Sequence, residues 1–207
     1  MNVTTALTED ELDALKELTN IGMGRAAALL AEILEQRIIL QVPQVQVVAA
    51  DDLKSQFSER DSLSITRHGF RGGGINGEAL LIFQRDGYKN LHEIYGYPAT
   101  IPLQLAQQQE LLLEIASNLC AACLSGMGEQ FDLEFMFSPP RLLCQELWTS
   151  LYEQVFANKT LAWQHSVCID VSFSLEHEEF DARLFLFIPD TALPKVKQRI
   201  AAILENL

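Results

Sequence analysis

The sequence predicts a mixed α/β (α+β) fold in which one helix–strand–hairpin–helix unit occurs twice. Three observations lead there. Two long helical patterns, "DALKELTNIGMGRAAALLAEIL" from 13 and "QQQELLLEIASNLCAACLSGMG" from 107, are each followed by a β-branched or aromatic run. Each half then carries two apolar runs with the character of a hairpin. Landmarks also recur at a constant spacing: Asp13 and Glu110, Glu17 and Glu114, Ile38 and Phe135, and Pro43 and Pro140 are all 97 residues apart. A spacing held over several landmarks marks a repeated structural unit. A repeat of this length predicts pseudo-twofold symmetry and one shared sheet. The chain therefore reads as a single domain, 1–207, made of two repeats at about 8–100 and 104–207.

The first helix opens with Thr8 and Glu11, which have the spacing of a capping box, and runs to about Gln36. At about 100° per residue, Leu12, Leu15, Leu18, Met23, Ala26, Leu29, Leu30 and Ile33 gather on one side. Asp13, Glu17, Asn20 and Gly24 gather on the other, within roughly 40° of a common direction. "IILQVPQVQVVAA" follows as a strand. Pro43 inside it lacks the ladder donor, which places this end at an edge or a bulge. "SLSITRHGF" and "NGEALLIFQ" are strands joined by "RGGGING". No helix follows that glycine loop directly, so it reads as a hairpin tip rather than a phosphate cradle. "DGYKNLHEIYG" reads as a short helix with Asp86 as N-cap.

In the second half, "FDLEFMFSPP" reads as a strand ending in proline, and "CQELWTSLYEQVFA" as an extra helix. "SVCIDVSFSL" and "ARLFLFIPD" form a hairpin, and "TALPKVKQRIAAILENL" a closing helix capped by Asp190 or Thr191. "LLIFQRD" at 80 and "LFLFIPD" at 184 are offset by 104 rather than 97, so seven extra residues lie in the second half, most simply near 144–157.

Composition excludes several function classes. There are 28 acidic against 15 basic residues, a formal net charge of −13, and no basic run. Nucleic acid and an anionic membrane surface are poor partners for such a chain. "MNVTTALTEDELD" lacks the basic and apolar regions of a signal peptide, and no stretch approaches the roughly 18 uninterrupted apolar residues of a spanning helix. Cys120, Cys123, Cys144 and Cys168 are too few for a disulfide scaffold and read as reduced thiols of a cytoplasmic protein.

The chemistry-bearing feature is the polar line of the first helix. It carries a carboxylate and an amide one turn apart, beside glycines where alanine would favour the helix. The arrangement Asp13-x3-Glu17-x2-Asn20-x22-Pro43, with "NIGMG" after the glutamate, resembles the signature of the CheC/CheX/FliY phosphatases of bacterial chemotaxis. Through the internal repeat the resemblance extends over nearly the whole chain. Its length and two motif copies resemble the CheC type rather than CheX, without the extra C-terminal flagellar-switch domain of FliY.

The resemblance implies a mostly antiparallel central sheet with two long adjacent helices on one face. The implied activity is hydrolysis of the aspartyl phosphate of a response regulator, typically phosphorylated CheY. Asn20 would position the attacking water, and Glu17 would pair with a lysine of the regulator. Asp13, Gly22, Gly24 and Glu110 would belong to the docking surface. No cofactor of the protein's own is implied, since the Mg2+ belongs to the phosphorylated regulator. A CheD-like deamidase is a further implied partner. The rival reading is a non-catalytic adaptor that binds a receiver domain or a CheD-like protein through the same helices.

The second copy departs from the pattern. Glu110, Glu114 and Pro140 keep register, but Ser117 stands at the asparagine position and Ala121 at that of Gly24. Asn118 is displaced by about 100° around the helix, so a helix irregularity would be needed to bring it round. The expectation is one competent site at Glu17/Asn20 and a weak or silent one at Glu114, Ser117 and Asn118. Other chemistry is thin. Cys120 and Cys123 fall on the apolar side of their helix and read as packing residues, not metal ligands. His68, His92, His165 and His177 form no ligand spacing, "LEHEEF" reads as a charged hairpin turn, and Trp148 and Trp163 read as packing.

Overall fold

The computed structural model describes residues 7–41, 43–49, 64–83, 95, 104–143, 165–175 and 181–205. The helix expected at 86–96, the extra helix at 144–157 and the turn at 175–180 fall largely or wholly outside these residues, as do His92, His177, Cys144, Trp148 and Trp163.

Helix α1 spans Glu9–Leu34. Its start is the expected capping box: the Glu11 N–H donates to Thr8 Oγ1 at 3.2 Å, and the Thr8 N–H donates to Glu11 Oε2 at 2.8 Å. Helix α2 spans Leu105–Phe131, slightly longer than the sequence pattern, and the Gln104 N–H donates to Gln107 Oε1 at 2.9 Å at its start. By length and composition α2 is long and apolar enough to cross a membrane, and 67% of its most apolar window is buried inside the fold. Helix α3, Leu193–Leu204, follows a 3-10 turn at Asp190–Ala192. Its N-cap is Ala192 with no side-chain cap bond, so neither Asp190 nor Thr191 caps it. Proline in the first turn supplies the start instead.

The strands are β1 Ile38–Leu40, β2 Gln44–Ala49, β3 Ser64–Gly72, β4 Ile75–Phe83, β5 Met136–Phe137, β6 Arg141–Leu143, β7 His165–Leu175 and β8 Asp181–Pro189. They form one sheet in the order β1-β7-β8-β4-β3-β5, with β2 also along β7 and β6 also along β3. Every pairing is antiparallel. The order is a palindrome about the β8–β4 boundary, and each edge comes from the opposite half to the hairpin it joins.

Both edges break in the same way. On the β7 side, four residue steps from Leu40 to Gln44 face three from Phe173 to Asp170. On the β3 side, four steps from Phe137 to Arg141 face three from Phe70 to Arg67. One extra residue on the edge strand is a bulge. Pro43 lies in the first bulge, and Pro139 and Pro140 lie in the second. The proline is therefore placed as its missing donor requires, between two strands rather than inside one. Of the strand expected through "FDLEFMFSPP", only Met136–Phe137 is strand; Phe131 ends the helix, and β6 begins after the prolines. The two long helices also end alike. Glu35 and Asp132 both turn left-handed, at φ 52° and φ 50°, and they too are 97 apart.

The glycine loop is a hairpin tip. Gly73 and Gly74 link β3 to β4 with φ of 58° and 83°, the pair of positive values that a tight two-residue turn needs.

One continuous core joins α1, α2 and α3 to the sheet. From the sheet it takes Ala79, Leu81 and Phe83 of β4, Val167, Ile169 and Val171 of β7, and Leu184, Leu186 and Ile188 of β8. The alternate residues Leu80, Ile82, Cys168, Phe185 and Phe187 are buried on the opposite face. This is why the central strands read as unbroken apolar runs. On α1, Leu15, Met23, Ala26 and Leu30 are buried as expected, and Leu34 is buried as well. Leu29 and Ile33 correct the helical-wheel assignment: they are 41% and 48% exposed.

Candidate active site

The two long helices pack against each other at two glycines. A Cβ on Gly22 would sit 2.9 Å from the backbone C and O of Gly126, and one on Gly126 would sit 2.1 Å from the Gly22 carbonyl oxygen. Gly22 with Ala26, and Ala122 with Gly126, form small-residue pairs four apart that let the backbones touch. Across the same junction Arg25 pairs with Glu129. Gly22 is therefore not part of a docking surface. It is buried and faces the other helix. The wheel carried that signal, since Gly22 lies about 200° away from Gly24 and near Ala26.

The crossing fixes which side of α1 faces outward. Asp13, Glu17, Asn20 and Gly24 are all exposed, while the adjacent Thr19 is fully buried. Asp13 is paired with Lys16 at 2.8 Å. Among the described residues, Glu17 and Asn20 have no side-chain hydrogen bond or ion pair, so a carboxylate and an amide stand open one turn apart. A Cβ on Gly24 would meet nothing within 4 Å, so the bare backbone there serves no contact inside the fold. Gly24→Ala is thus expected to stabilise the protein by up to about 1 kcal/mol, because alanine favours a helix interior. A denaturant midpoint below wild type would refute the open placement.

The start of α1 is tied down. Glu11 receives the Lys197 ammonium of α3 at 3.1 Å as well as the Thr8 amide. The remaining turns of α1, the left-handed residue Glu35 and β1 together span the 22-residue gap between Asn20 and Pro43. The proline of the signature is thus a structural residue of the edge bulge.

The face of α2 is different. Glu110 and Glu114 are exposed, and Ser117 and Ala121 are half-buried. Asn118 is half-buried and its Nδ2 donates to Tyr95 Oη at 3.0 Å. Burial is the main cause that raises the Tyr95 phenol pKa; the Asn118 bond opposes it and the Glu114 charge adds to it. The helix is regular throughout Leu105–Phe131, so no irregularity turns Asn118 into the direction of Ser117. The amide that would have to serve this face is held by a tyrosine 23 residues away, which no local pattern announces.

Among the described residues no group of three or more His, Cys, Asp or Glu is placed to hold a metal ion. Cys120 and Cys123 are fully buried. Burial pushes the Cys120 thiol up to about 12 and raises that of Cys123 as well. Alkylation of the native protein near pH 8, read residue by residue by peptide mass, should leave both unlabelled until the fold opens. Labelling of Cys120 or Cys123 at the rate of a free thiol would overturn their place in the core.

A CheC-like family model matches residues 11–47, the span that holds Glu17, Asn20 and Pro43. The CheY-P phosphatase CheC of Bacillus subtilis (strain 168) is 23% identical over 198 residues, covering 92% of this chain and 93% of that protein. Among solved structures, Thermotoga maritima FliY superposes with a TM-score of 0.66 at 18% identity, covering 96% of this chain and 99% of that one. The FliM middle domain from H. pylori gives 0.63 at 6% identity, covering 93% and 99%. A chain of the CheX-CheY-BeF3-Mg2+ complex from Borrelia burgdorferi gives 0.52 at 13%, covering 86% and 99%.

Proposed function

We propose that the chain is a CheC-like member of the CheC/CheX/FliY family, as the matched segment 11–47 and the similarity to CheC over most of its length support, and that it hydrolyses the aspartyl phosphate of a CheY-like response regulator in chemotaxis signalling. The observation that carries the proposal is the outward face of α1, where Glu17 and Asn20 stand one turn apart, exposed and unpartnered beside the open backbone of Gly24.

The chemistry asks for little more. An acyl phosphate has a good leaving group, so no strong base is needed. The gain comes from holding a water in line with the phosphorus. The Asn20 carboxamide both accepts and donates hydrogen bonds and does not titrate, so it suits that task over a wide pH range. Glu17, one turn earlier, engages a lysine of the regulator and fixes the register between the two proteins. Asp13 and Gly24 extend the docking surface along the same line. The Mg2+ arrives with the regulator as part of the substrate. These roles place the protein in the cytoplasm with its substrate.

The proposal that the chain is one domain of two repeats rests on the palindromic strand order and the paired bulges. In the second repeat, Glu114 lacks an asparagine in register and Asn118 is engaged by Tyr95. The α2 face is therefore the silent one.

Phosphate release from a panel of phosphorylated receiver domains tests the function directly. Release accelerated by the wild-type protein is expected for at least one receiver, with Ser117→Ala within about twofold of wild type because that position already lacks the amide. Binding of receivers or of a CheD-like protein with no acceleration for any receiver would instead establish the adaptor reading.

A further inference from the structure

The polar line of α2 does not stop at Ala121. It continues through Ser125 and Gly128 to Asp132 and lines a groove of about 830 Å³. The opposite wall is Leu29 of α1 and the segment from Leu133 to Phe137. That segment is pinned rather than loose. The Asp132 and Leu133 N–H groups both donate to the Gly128 carbonyl, the latter at 2.8 Å. A Cβ on Gly128 would fall 2.4 Å from the Leu133 carbonyl oxygen, so the wall lies directly on the helix.

The groove combines exposed apolar surface with an acidic rim. Leu29 is 41% exposed and Phe137 39%. Glu129, Asp132 and Glu134 supply three carboxylates. Arg25, the single cation of the lining, is already paired with Glu129. The Asp132 and Glu134 carboxylates have no partner among the described residues. The two repeats differ here at the start of the wall, while Glu32, Glu35, Ile38 and Leu40 keep the character of Glu129, Asp132, Phe135 and Phe137. At the spacing of 97, the counterparts of Leu133 and Glu134 are Gln36 and Arg37, which are neither apolar nor acidic.

We propose that this groove docks a partner protein through an apolar segment flanked by lysine or arginine, on the face of α2 that the phosphatase site does not use. Charge complementarity selects that occupant. A second copy of a chain with net charge −13 would bring acid against acid, and nucleic acid or an anionic membrane would be repelled. The apolar wall supplies burial, and the two unpartnered carboxylates supply orientation and association rate. The receiver site lies along Asp13, Glu17, Asn20 and Gly24 of α1, whereas the groove meets α1 at Arg25 and Leu29.

The test uses three synthetic peptides of equal length: a helical Leu/Lys amphipath, its Leu/Glu counterpart, and a Gly/Ser/Lys peptide with the first one's charge but no apolar residues. Binding is read by anisotropy at physiological salt. Only the Leu/Lys peptide is expected to bind, and its affinity should fall at least tenfold in Leu29→Gln and in Glu134→Lys. The same charge change on the exposed residue Glu32, Glu32→Lys, should leave it within about twofold. Melting curves confirm that each variant is folded. Equal binding of the Gly/Ser/Lys peptide, or equal loss in Glu32→Lys, would reduce the effect to general attraction and overturn the proposal. No binding of the Leu/Lys peptide would overturn it as well. So would a concentration-dependent dimer abolished by Leu29→Gln, since the groove would then be the seat of a second copy. None of these readings depends on phosphatase activity.

Discussion

Gly126→Ala is expected to destabilise the fold by about 3 kcal/mol, the upper end of what an added methyl costs a filled interior. By propensity alone the change should help, since alanine in a helix interior is worth about 1 kcal/mol over glycine. Sterics decide against it. The new Cβ would lie 2.1 Å from the Gly22 carbonyl oxygen, 3.0 Å from its carbon and 3.4 Å from the Ala26 nitrogen. All three are backbone atoms, so no side chain can rotate away. The helices must part, and the packing of Met23, Ala26, Ala122 and Met127 beneath them is lost with the contact. Gly22→Ala meets the same obstacle at 2.9 Å and should behave alike, though less severely. A urea midpoint at or above wild type for Gly126→Ala would show that the helices do not touch at these residues. Gly24→Ala, two residues from Gly22 but open to solvent, is the matched control with the opposite expected sign.

That contrast shows what was legible in the residues and what was not. The length and caps of α1, the hairpin turn at Gly73 and Gly74, and the edge placement of Pro43 follow from local rules, because capping, positive φ and a missing donor act within a few residues. The two-repeat reading rests on equal spacings in the chain, and the matching turns at Glu35 and Asp132 follow the same spacing. What local rules do not carry is the identity of a neighbour. Gly22 and Gly24 look equivalent in "NIGMG" until a second helix lies against one of them. Leu29 and Ile33 fit the apolar stripe by angle, yet both are left exposed. Asn118 looks free until Tyr95 is brought to it from a distant part of the chain. An acid and an amide one turn apart are common on surface helices, so Glu17 and Asn20 were singled out by their spacing to Pro43 and the signature it resembles. Their exposure is the one property that the fold had to supply.

Asn20→Ala is expected to lower the dephosphorylation rate on the order of a hundredfold, as loss of one positioned polar group does in a preorganised site. Stability should stay within about 0.5 kcal/mol of wild type, since the side chain is exposed and makes no bond among the described residues. Activity and stability would thus separate cleanly. Asn20→Asp tests the reason. The shape is nearly kept, but the amide donors are gone and a negative charge faces a phosphoryl group, so the rate should fall at least as far as in Asn20→Ala. Glu17→Ala should act differently. If Glu17 sets the register through a lysine of the regulator, its loss raises KM for the phosphorylated receiver as well as lowering kcat, whereas Asn20→Ala acts mainly on kcat. The second face supplies the internal control, because Ser117→Ala and Asn118→Ala touch a position without an amide and an amide already held by Tyr95. Wild-type rates in Asn20→Ala with a collapse in either α2 variant would move the working site to the other repeat. A loss in Asn20→Ala that leaves receiver binding intact, beside near-normal α2 variants, fits only a water placed from α1, because an adaptor surface would have lost affinity instead of rate.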